Sequence, residues 1–169
     1  MDKSELQSRL ADLHVASFGW ALSCCQGRRA MAEDVLQNAY LKVLDGRAEF
    51  GGKSEFKTWL FGVVRNSARE EGRREKLRKL GMLRFVPEPE PQRNPSEQSE
   101  FSETRAQLLQ LLEKLSGRQR EILHLVFYQD LTVEAAAQVM GVSLGSARTH
   151  YQRGKDKMRT LLEQARQDG

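Results

Sequence analysis

The amino-acid sequence predicts an all-α protein made of two small helical domains joined by a flexible, acidic, Pro-rich linker. Apolar residues recur at the helical spacings of three and four, and β-branched residues never alternate over the length of a strand. All four prolines lie between Pro87 and Pro95, in a stretch without helical periodicity. We therefore expect domains at residues 1–81 and 106–169, with the linker at residues 82–105.

In the first domain, three helical stretches each carry an apolar stripe. Three glycines, Gly46, Gly51 and Gly52, interrupt the chain before the third stretch, and Ser54 is predicted to cap the helix that follows. The stripes are Leu6, Leu10, Leu13 and Phe18; then Val35, Leu36, Ala39, Tyr40, Val43 and Leu44; then Phe56, Trp59, Leu60, Val63 and Val64.

In the second domain, leucines from Leu108 to Leu115 predict one helix, and Ser116 with Gln119 has the pattern of a capping box that opens another. Thr132 and Ser143 are expected to cap the last two helices. Between these two helices, Gly141 can adopt the positive φ that a tight interhelical turn requires. Residues 131–159 therefore have the layout of a helix-turn-helix.

The second helix of this motif carries polar residues on one side. Arg148, Thr149, Gln152 and Arg153 follow helical spacing, and the side chains of Arg and Gln are suited to reading guanine and adenine in the major groove. The Ser143 cap also leaves amides near the start of the helix that suit a phosphate. The pattern predicts a reader of duplex DNA, with solvated charges on an ordinary helical hairpin as the alternative.

The segment from Glu55 to Lys79 interleaves aromatic residues with cations, a combination that single-stranded nucleic acid binding uses. The alternative is that Trp59 belongs to the core, and that the acids among the cations make part of this face a salt-bridged surface. The aromatic residues are Phe56, Trp59 and Phe61, and the cations are Arg65, Arg69, Arg73, Arg74, Lys76, Arg78 and Lys79.

Charge follows the same division of the chain. Residues 1–81 hold 15 basic and 11 acidic residues, residues 82–105 hold 3 and 5, and residues 106–169 hold 9 and 7. The net charge is +4 and the pI is near 9.2, which is compatible with a polyanionic partner. There is no run of 18 apolar residues, and the charged N-terminus is unlike a signal peptide, so we expect a cytoplasmic protein without membrane insertion.

Three segments, Ala32–Leu44, Ser54–Arg74 and Leu115–Leu162, closely resemble bacterial RNA polymerase sigma factors of the extracytoplasmic-function (ECF) group within the sigma-70 family. They occur in the family's order, with a linker in the corresponding place. The resemblance implies that the first domain is sigma region 2 and the second is sigma region 4. It implies an alternative sigma factor that binds core RNA polymerase, directs it to promoters and helps to open the minus-ten element.

The resemblance also implies roles for individual residues. The β′ coiled coil of the polymerase would be bound by Asp34, Gln37, Asn38 and Lys42. The opened minus-ten strand would be bound by Phe56, Lys57, Trp59, Arg65, Asn66 and Arg69, and the minus-thirty-five duplex by Ser146, Arg148, Thr149, Gln152 and Arg153. The outer face of region 4 would contact the β flap, and an anti-sigma factor would be a further partner.

The sequence departs from the family pattern at two positions. Asn38 stands where the family usually has Glu, and His150 stands where it usually has a second basic residue in the recognition helix. The family's promoter sequence therefore cannot be transferred to this chain.

Other interpretations are a two-domain helix-turn-helix regulator that binds duplex DNA without polymerase, and a basic adaptor that binds a protein or a membrane surface. No glycine-rich phosphate loop or hydrolase motif occurs, so neither an enzyme nor a cofactor is expected. Cys24 and Cys25 do not combine with the three histidines in a metal-ligand spacing, and we expect them to be reduced thiols rather than zinc ligands.

Overall fold

The computed structural model describes residues 1–81 and 100–169, so the predicted Pro-rich run lies outside the described residues. Within those two ranges the chain forms α-helices and one π-helical turn and no β-strand, which confirms the all-α prediction. No helix in the described ranges is both long enough and apolar enough to span a bilayer. The helices are α1 (Lys3–Asp12), α2 (His14–Cys24), α3 (Arg29–Leu44), α4 (Phe56–Gly81), α5 (Glu100–Glu113), α6 (Gly117–Leu123), α7 (Val133–Met140) and α8 (Leu144–Gln167), with the π-helical turn at His124–Tyr128.

Helices α1 to α4 pack into an N-terminal module, in which α2, α3 and α4 all contact one another. Trp20 of α2 stacks on Phe61 of α4 with ring centroids 6.0 Å apart, and its indole nitrogen donates a hydrogen bond of 3.0 Å to the Phe61 carbonyl. Both side chains are fully buried. Because burial of one large aromatic side chain contributes about 2–3 kcal/mol, this pair is a major contact between α2 and α4.

Two predicted details of this module differ in the structure. The first apolar stripe is divided between α1 and α2, because Leu13 leaves the helical conformation at φ −96° and ψ 4°. Leu10 then packs with Val43, while Trp20 reaches Phe61. The predicted cap at Ser54 is wrong: the Trp59 amide donates to the Glu55 carbonyl, and the Ser54 hydroxyl donates to the same carbonyl.

Acidic residues of α4 bind cations of the preceding helices and loops. The Lys42 ammonium lies 2.5 Å from a Glu70 carboxylate oxygen and donates to the Ser67 hydroxyl at 3.2 Å. This ammonium lowers the pKa of Glu70. The Arg28 guanidinium donates to both carboxylate oxygens of Glu75, at 2.8 and 3.2 Å. These ion pairs join α4 to the rest of the module and account for part of the mixed charge predicted from the sequence.

In the C-terminal module, α8 packs against α6 and α5. The predicted capping box of Ser116 and Gln119 is confirmed, and the Thr132 hydroxyl accepts the Ala135 amide as expected. Helix α5 begins at Glu100, so the last six residues assigned to the linker, 100–105, are helical. The physical reason is that no proline follows Pro95, so nothing in the backbone prevents the helix from extending back from the leucines.

The π-helical turn that follows α6 was not predicted. It is closed by a hydrogen bond of 3.1 Å from the Gln129 amide to the His124 carbonyl. The Gln129 side-chain amide lies 3.2 Å from His124 Nε2, within hydrogen-bond distance. Burial lowers the pKa of His124 to about 4, so the imidazole is neutral near pH 7.

Helix α8 packs closely against α6 at Gly154, where there is little room for a side chain. A Cβ at this position would lie 3.3 Å from Leu123 Cδ1, within a buried contact. We expect Gly154→Val to lower the free energy of unfolding by about 1–3 kcal/mol through overpacking. The control is Gly145→Val, since a Cβ there would meet no atom within 4 Å. Equal urea midpoints for the two variants would contradict this account.

His124 predicts a pH dependence of stability. Its folded pKa of about 4 lies below its ordinary value of 6.5, so the unfolded chain binds more protons between these pH values. Stability should therefore be fully present above pH 6.5 and fall as the pH is lowered towards 4. We expect His124→Gln, which cannot titrate, to lose less stability over this window than the wild type in thermal unfolding. Parallel curves would rule out His124 as the source.

Candidate nucleic-acid interface

The predicted helix-turn-helix is present, and its turn is stabilised by backbone hydrogen bonds. The Val142 amide donates to the Ala137 carbonyl and the Gly141 amide donates to the Gln138 carbonyl, a Schellman arrangement. Gly141 has a φ of +65°, as the sequence predicted. The Ser143 hydroxyl then accepts the Ser146 amide at 3.1 Å and caps α8.

Helix α8 has one buried face and one exposed face. Ala147 and Gly154, seven residues apart, are buried against the module, and this fixes the rotation of the helix about its axis. The opposite face exposes four of the five residues predicted to read duplex DNA: Arg148, Thr149, Gln152 and Arg153. Ser146 is half-buried, and its amide is already used by the cap.

The exposed polar side chains of α8 are held by nearby groups. The Arg148 guanidinium forms an ion pair with Glu134 of α7 at 3.5 Å, and the Gln152 amide donates to Asp156 at 3.1 Å. The Thr149 hydroxyl donates to the Gly145 carbonyl at 3.0 Å. This face offers hydrogen-bond donors with restricted conformations, as readout of base edges requires.

An exposed aromatic surface near the π-helical turn was not predicted from the sequence. Phe127 and Tyr128 are mostly exposed, and Phe127 lies 5.9 Å from Tyr151 of α8 between ring centroids. The Lys155 ammonium lies 4.2 Å from the Tyr151 ring centroid. The only signal in the sequence was two adjacent aromatics beside a predicted turn, and periodicity does not show which way such residues face.

In the N-terminal module, one face of α4 carries part of the predicted single-strand site. Trp59 is half-buried, while Asn66 and Arg69 are exposed, and their separations of seven and three residues place them on the same side of the helix. Lys57 is also half-buried, with its ammonium 5.6 Å from the Phe61 ring centroid. A half-exposed indole beside an amide and a guanidinium can stack a base and bind its phosphate.

Two residues predicted for this site are not accessible. Phe56 is 7% exposed and lies 5.3 Å from both Phe50 and Trp59 between ring centroids, so it belongs to the core. Arg65 is also only 7% exposed. Each lies on a side of α4 that the packing of the module covers, and their contact with DNA stays a prediction.

The residues predicted to bind the polymerase divide in a similar way on α3. Asp34 and Gln37 are exposed and Asn38 is half-buried. The Lys42 side chain is half-buried and its ammonium is paired with Glu70 of α4, so its contact with polymerase stays a prediction. Leu41, 49% exposed and on the same face as Gln37, was not selected from the sequence, although it is apolar in an otherwise polar stripe.

A groove of about 490 Å³ runs beside this part of α3. Its lining combines apolar side chains of α2 and α3 with charged residues at one end. The lining residues are His14, Phe18, Arg29, Glu33, Leu36, Gln37, Tyr40, Leu41 and Leu44. The α3 face and this groove together form the candidate docking surface.

Comparison with known proteins agrees with this layout. Residues 14–78 match the family Sigma-70 region 2, and residues 105–158 match Sigma-70, region 4. The ECF RNA polymerase sigma factor EcfG of Rhodopseudomonas palustris (strain TIE-1) is 30% identical over 139 residues, 80% of this chain and 74% of that protein. The RNA polymerase sigma factor CarQ of Myxococcus xanthus is 28% identical over 133 residues, 79% of this chain and 75% of that protein.

Solved structures share the fold. The sigma factor RpoE from Bartonella quintana, in complex with the anti-sigma factor NepR, superimposes with a TM-score of 0.70 at 23% identity, over 94% of this chain and 97% of that one. CnrH, in complex with the cytosolic domain of CnrY, gives 0.67 at 21% identity, over 96% and 90%. With two sigma-70 regions matched in order and a relative at 30% identity, the chain belongs to the ECF group of RNA polymerase sigma factors.

Proposed function

We propose that this sigma factor divides promoter recognition among three surfaces: the α3 face holds core RNA polymerase, α4 captures the opened minus-ten strand and α8 reads the minus-thirty-five duplex. The observation that carries the proposal is the pair of exposed polar faces on α4 and α8, which lie in the segments that match sigma regions 2 and 4. The protein acts by binding and has no reaction of its own, and it works in the cytoplasm.

Helix α8 is suited to the major groove because its buried side is small and its exposed side is polar. Arg148 and Arg153 supply guanidinium groups and Gln152 supplies an amide, and each good bidentate pair contributes about 1–3 kcal/mol of discrimination between bases. The Thr149 hydroxyl donates to the Gly145 carbonyl of the same helix, so its side chain is less free to contact a base. A few such contacts bind DNA weakly, so tight promoter binding requires both modules to be held together on polymerase.

Helix α4 is suited to an unpaired strand. Trp59 offers part of its ring at the surface, and Asn66 and Arg69 extend the same face along the helix. The buried Phe56 packs against Trp59, with the two ring centroids 5.3 Å apart, and so helps to fix the position of the indole. Lys57 precedes Trp59 by two residues and so lies on another side of the helix, with its ammonium 5.6 Å from the Phe61 ring centroid, and its contact with the strand stays a prediction.

Docking on polymerase is assigned to Asp34, Gln37 and Leu41, which share one side of α3 beside the groove. Two polar residues and an exposed leucine follow one another along this side beside an apolar groove, and protein interfaces commonly combine such polar and apolar groups. Asn38 contributes at the edge. The half-buried Lys42 ammonium is paired with Glu70 and so joins α3 to α4 beside this surface.

Regulation by an anti-sigma factor is part of the proposal. Two structures with the same fold are complexes, one with the anti-sigma factor NepR and the other with the cytosolic domain of CnrY. A partner that covers the α3 face would prevent polymerase from binding.

The function is tested by reconstitution with core RNA polymerase. The protein should co-elute with core enzyme in the absence of DNA, and the resulting holoenzyme should initiate at discrete promoters when transcription starts are mapped on genomic DNA. We expect the double substitution of Asp34 and Gln37 to alanine to weaken core binding about tenfold, as loss of central interface residues does. Asp12→Ala, which removes an exposed acid of α1, is the control and should bind core normally.

The competing interpretation, a regulator that acts without polymerase, predicts the opposite result. In that case the chain alone would bind duplex promoter DNA tightly and core enzyme would never co-elute.

Arg69 provides a separate test of the minus-ten surface. Removing one phosphate contact should weaken binding and reduce the salt dependence by about one counterion, so we expect Arg69→Ala to lower promoter opening roughly three- to tenfold. Arg74→Ala is the matched control, because it removes an exposed arginine from another side of α4. Permanganate reactivity of unpaired thymines measures opening. Equal losses in the two variants would show that total charge, rather than this face, is responsible.

A further inference from the structure

An ion pair joins the two helices of the helix-turn-helix on the side that faces outward. Glu134 of α7 and Arg148 of α8 lie 3.5 Å apart, with their side chains 58% and 65% exposed. Neither residue is needed to fill the core, and an exposed pair of this kind contributes only about 0–1 kcal/mol to stability. One member of the pair, Arg148, lies on the face of α8 assigned to duplex DNA, so the pair can act on binding.

The Glu134 carboxylate lies close enough to the polar face of α8 to weaken the attraction of this helix for DNA. An acid beside the reading face repels the phosphate backbone and lowers affinity for every sequence. For Arg148 it has a second effect: it occupies one part of the guanidinium and discourages this side chain from binding the nearest phosphate. The donors that remain can reach a base edge, where an arginine distinguishes guanine.

The side-chain amide of Gln152 is likewise bound to an acidic residue. Gln152 donates to Asp156 at 3.1 Å, one turn further along the same helix. An acid thus lies beside two of the three side chains assigned to base reading, Arg148 and Gln152, whereas Thr149 between them bonds to its own backbone. The arrangement restricts rotamers at the reading face before DNA is bound, which reduces the entropy lost on binding.

We propose that Glu134 is a positioning residue that sets the base preference of Arg148, increasing discrimination while lowering affinity for duplex DNA in general. The proposal rests on the function assigned above, because it requires Arg148 to face the minus-thirty-five element. It adds a specificity-determining residue in α7, outside the helix that enters the groove.

The experiment uses holoenzyme reconstituted from the full chain and core RNA polymerase. The template is a promoter found by transcription-start mapping, in which the minus-thirty-five element is randomised, and sequencing of the transcripts gives the base preference at each position. The variants are Glu134→Ala, Glu134→Gln, Arg148→Ala and the double variant with alanine at both positions. Glu163→Gln, which removes one exposed charge further along α8, is the control for net charge.

We expect Arg148→Ala to abolish the preference at one base pair. Glu134→Ala should reduce the preference at that same base pair about two- to fivefold, the range that an exposed ion pair supports, without lowering total transcription. In the Arg148→Ala background, Glu134→Ala should have no further effect, since coupled residues are not additive. Glu134→Gln keeps an acceptor but not the charge and should fall between, and Glu163→Gln should match the wild type.

The inference is overturned if Glu134→Ala keeps the wild-type preference, or if it lowers transcription evenly over all sequences as a structural defect would. In either case the proposed function stands, because the wild-type holoenzyme still selects promoters. If the wild-type holoenzyme selects none, the proposed function fails and the role of Glu134 fails with it.

Discussion

The rotation of each long helix about its own axis is the constraint on which the surfaces of this protein depend. Helix α4 buries Leu60, Phe61 and Val64, and helix α8 buries Ala147 and Gly154. A helix that buries one face must present the opposite one, so these contacts decide which polar residues reach solvent. The reading face of α8 and the strand-binding face of α4 are therefore consequences of core packing.

Acidic residues have two different uses in this basic protein. In the N-terminal module, Glu70 and Glu75 bind Lys42 and Arg28 and hold α4 against its neighbours. In the C-terminal module, Glu134 lies at the surface beside a side chain proposed to read DNA. The first use holds half-buried cations in contacts between helices, while the second leaves the cation mostly exposed but restricts it. A count of charges does not distinguish the two.

Sequence reasoning worked best where the chemistry is local. The capping box at Ser116, the cap at Ser143 and the positive φ at Gly141 depend on residues within one turn, and all three are present. It worked less well for Phe56 and Arg65, since helical periodicity defines a face but not how far the packing of other helices covers its edges. The π-helical turn had no counterpart in any pattern of spacing.

The sequence by itself determined the all-α class, the positions of most helix ends and the sigma-factor family, because propensity, capping and motif spacing are properties of short stretches of chain. The tertiary structure alone decided which members of those motifs are accessible. Lys42 is half-buried and paired because α4 brings Glu70 to its ammonium, and Arg148 is restrained because α7 brings Glu134 within 3.5 Å. Both results depend on pairs far apart along the chain, and only the packing of helices brings such pairs together.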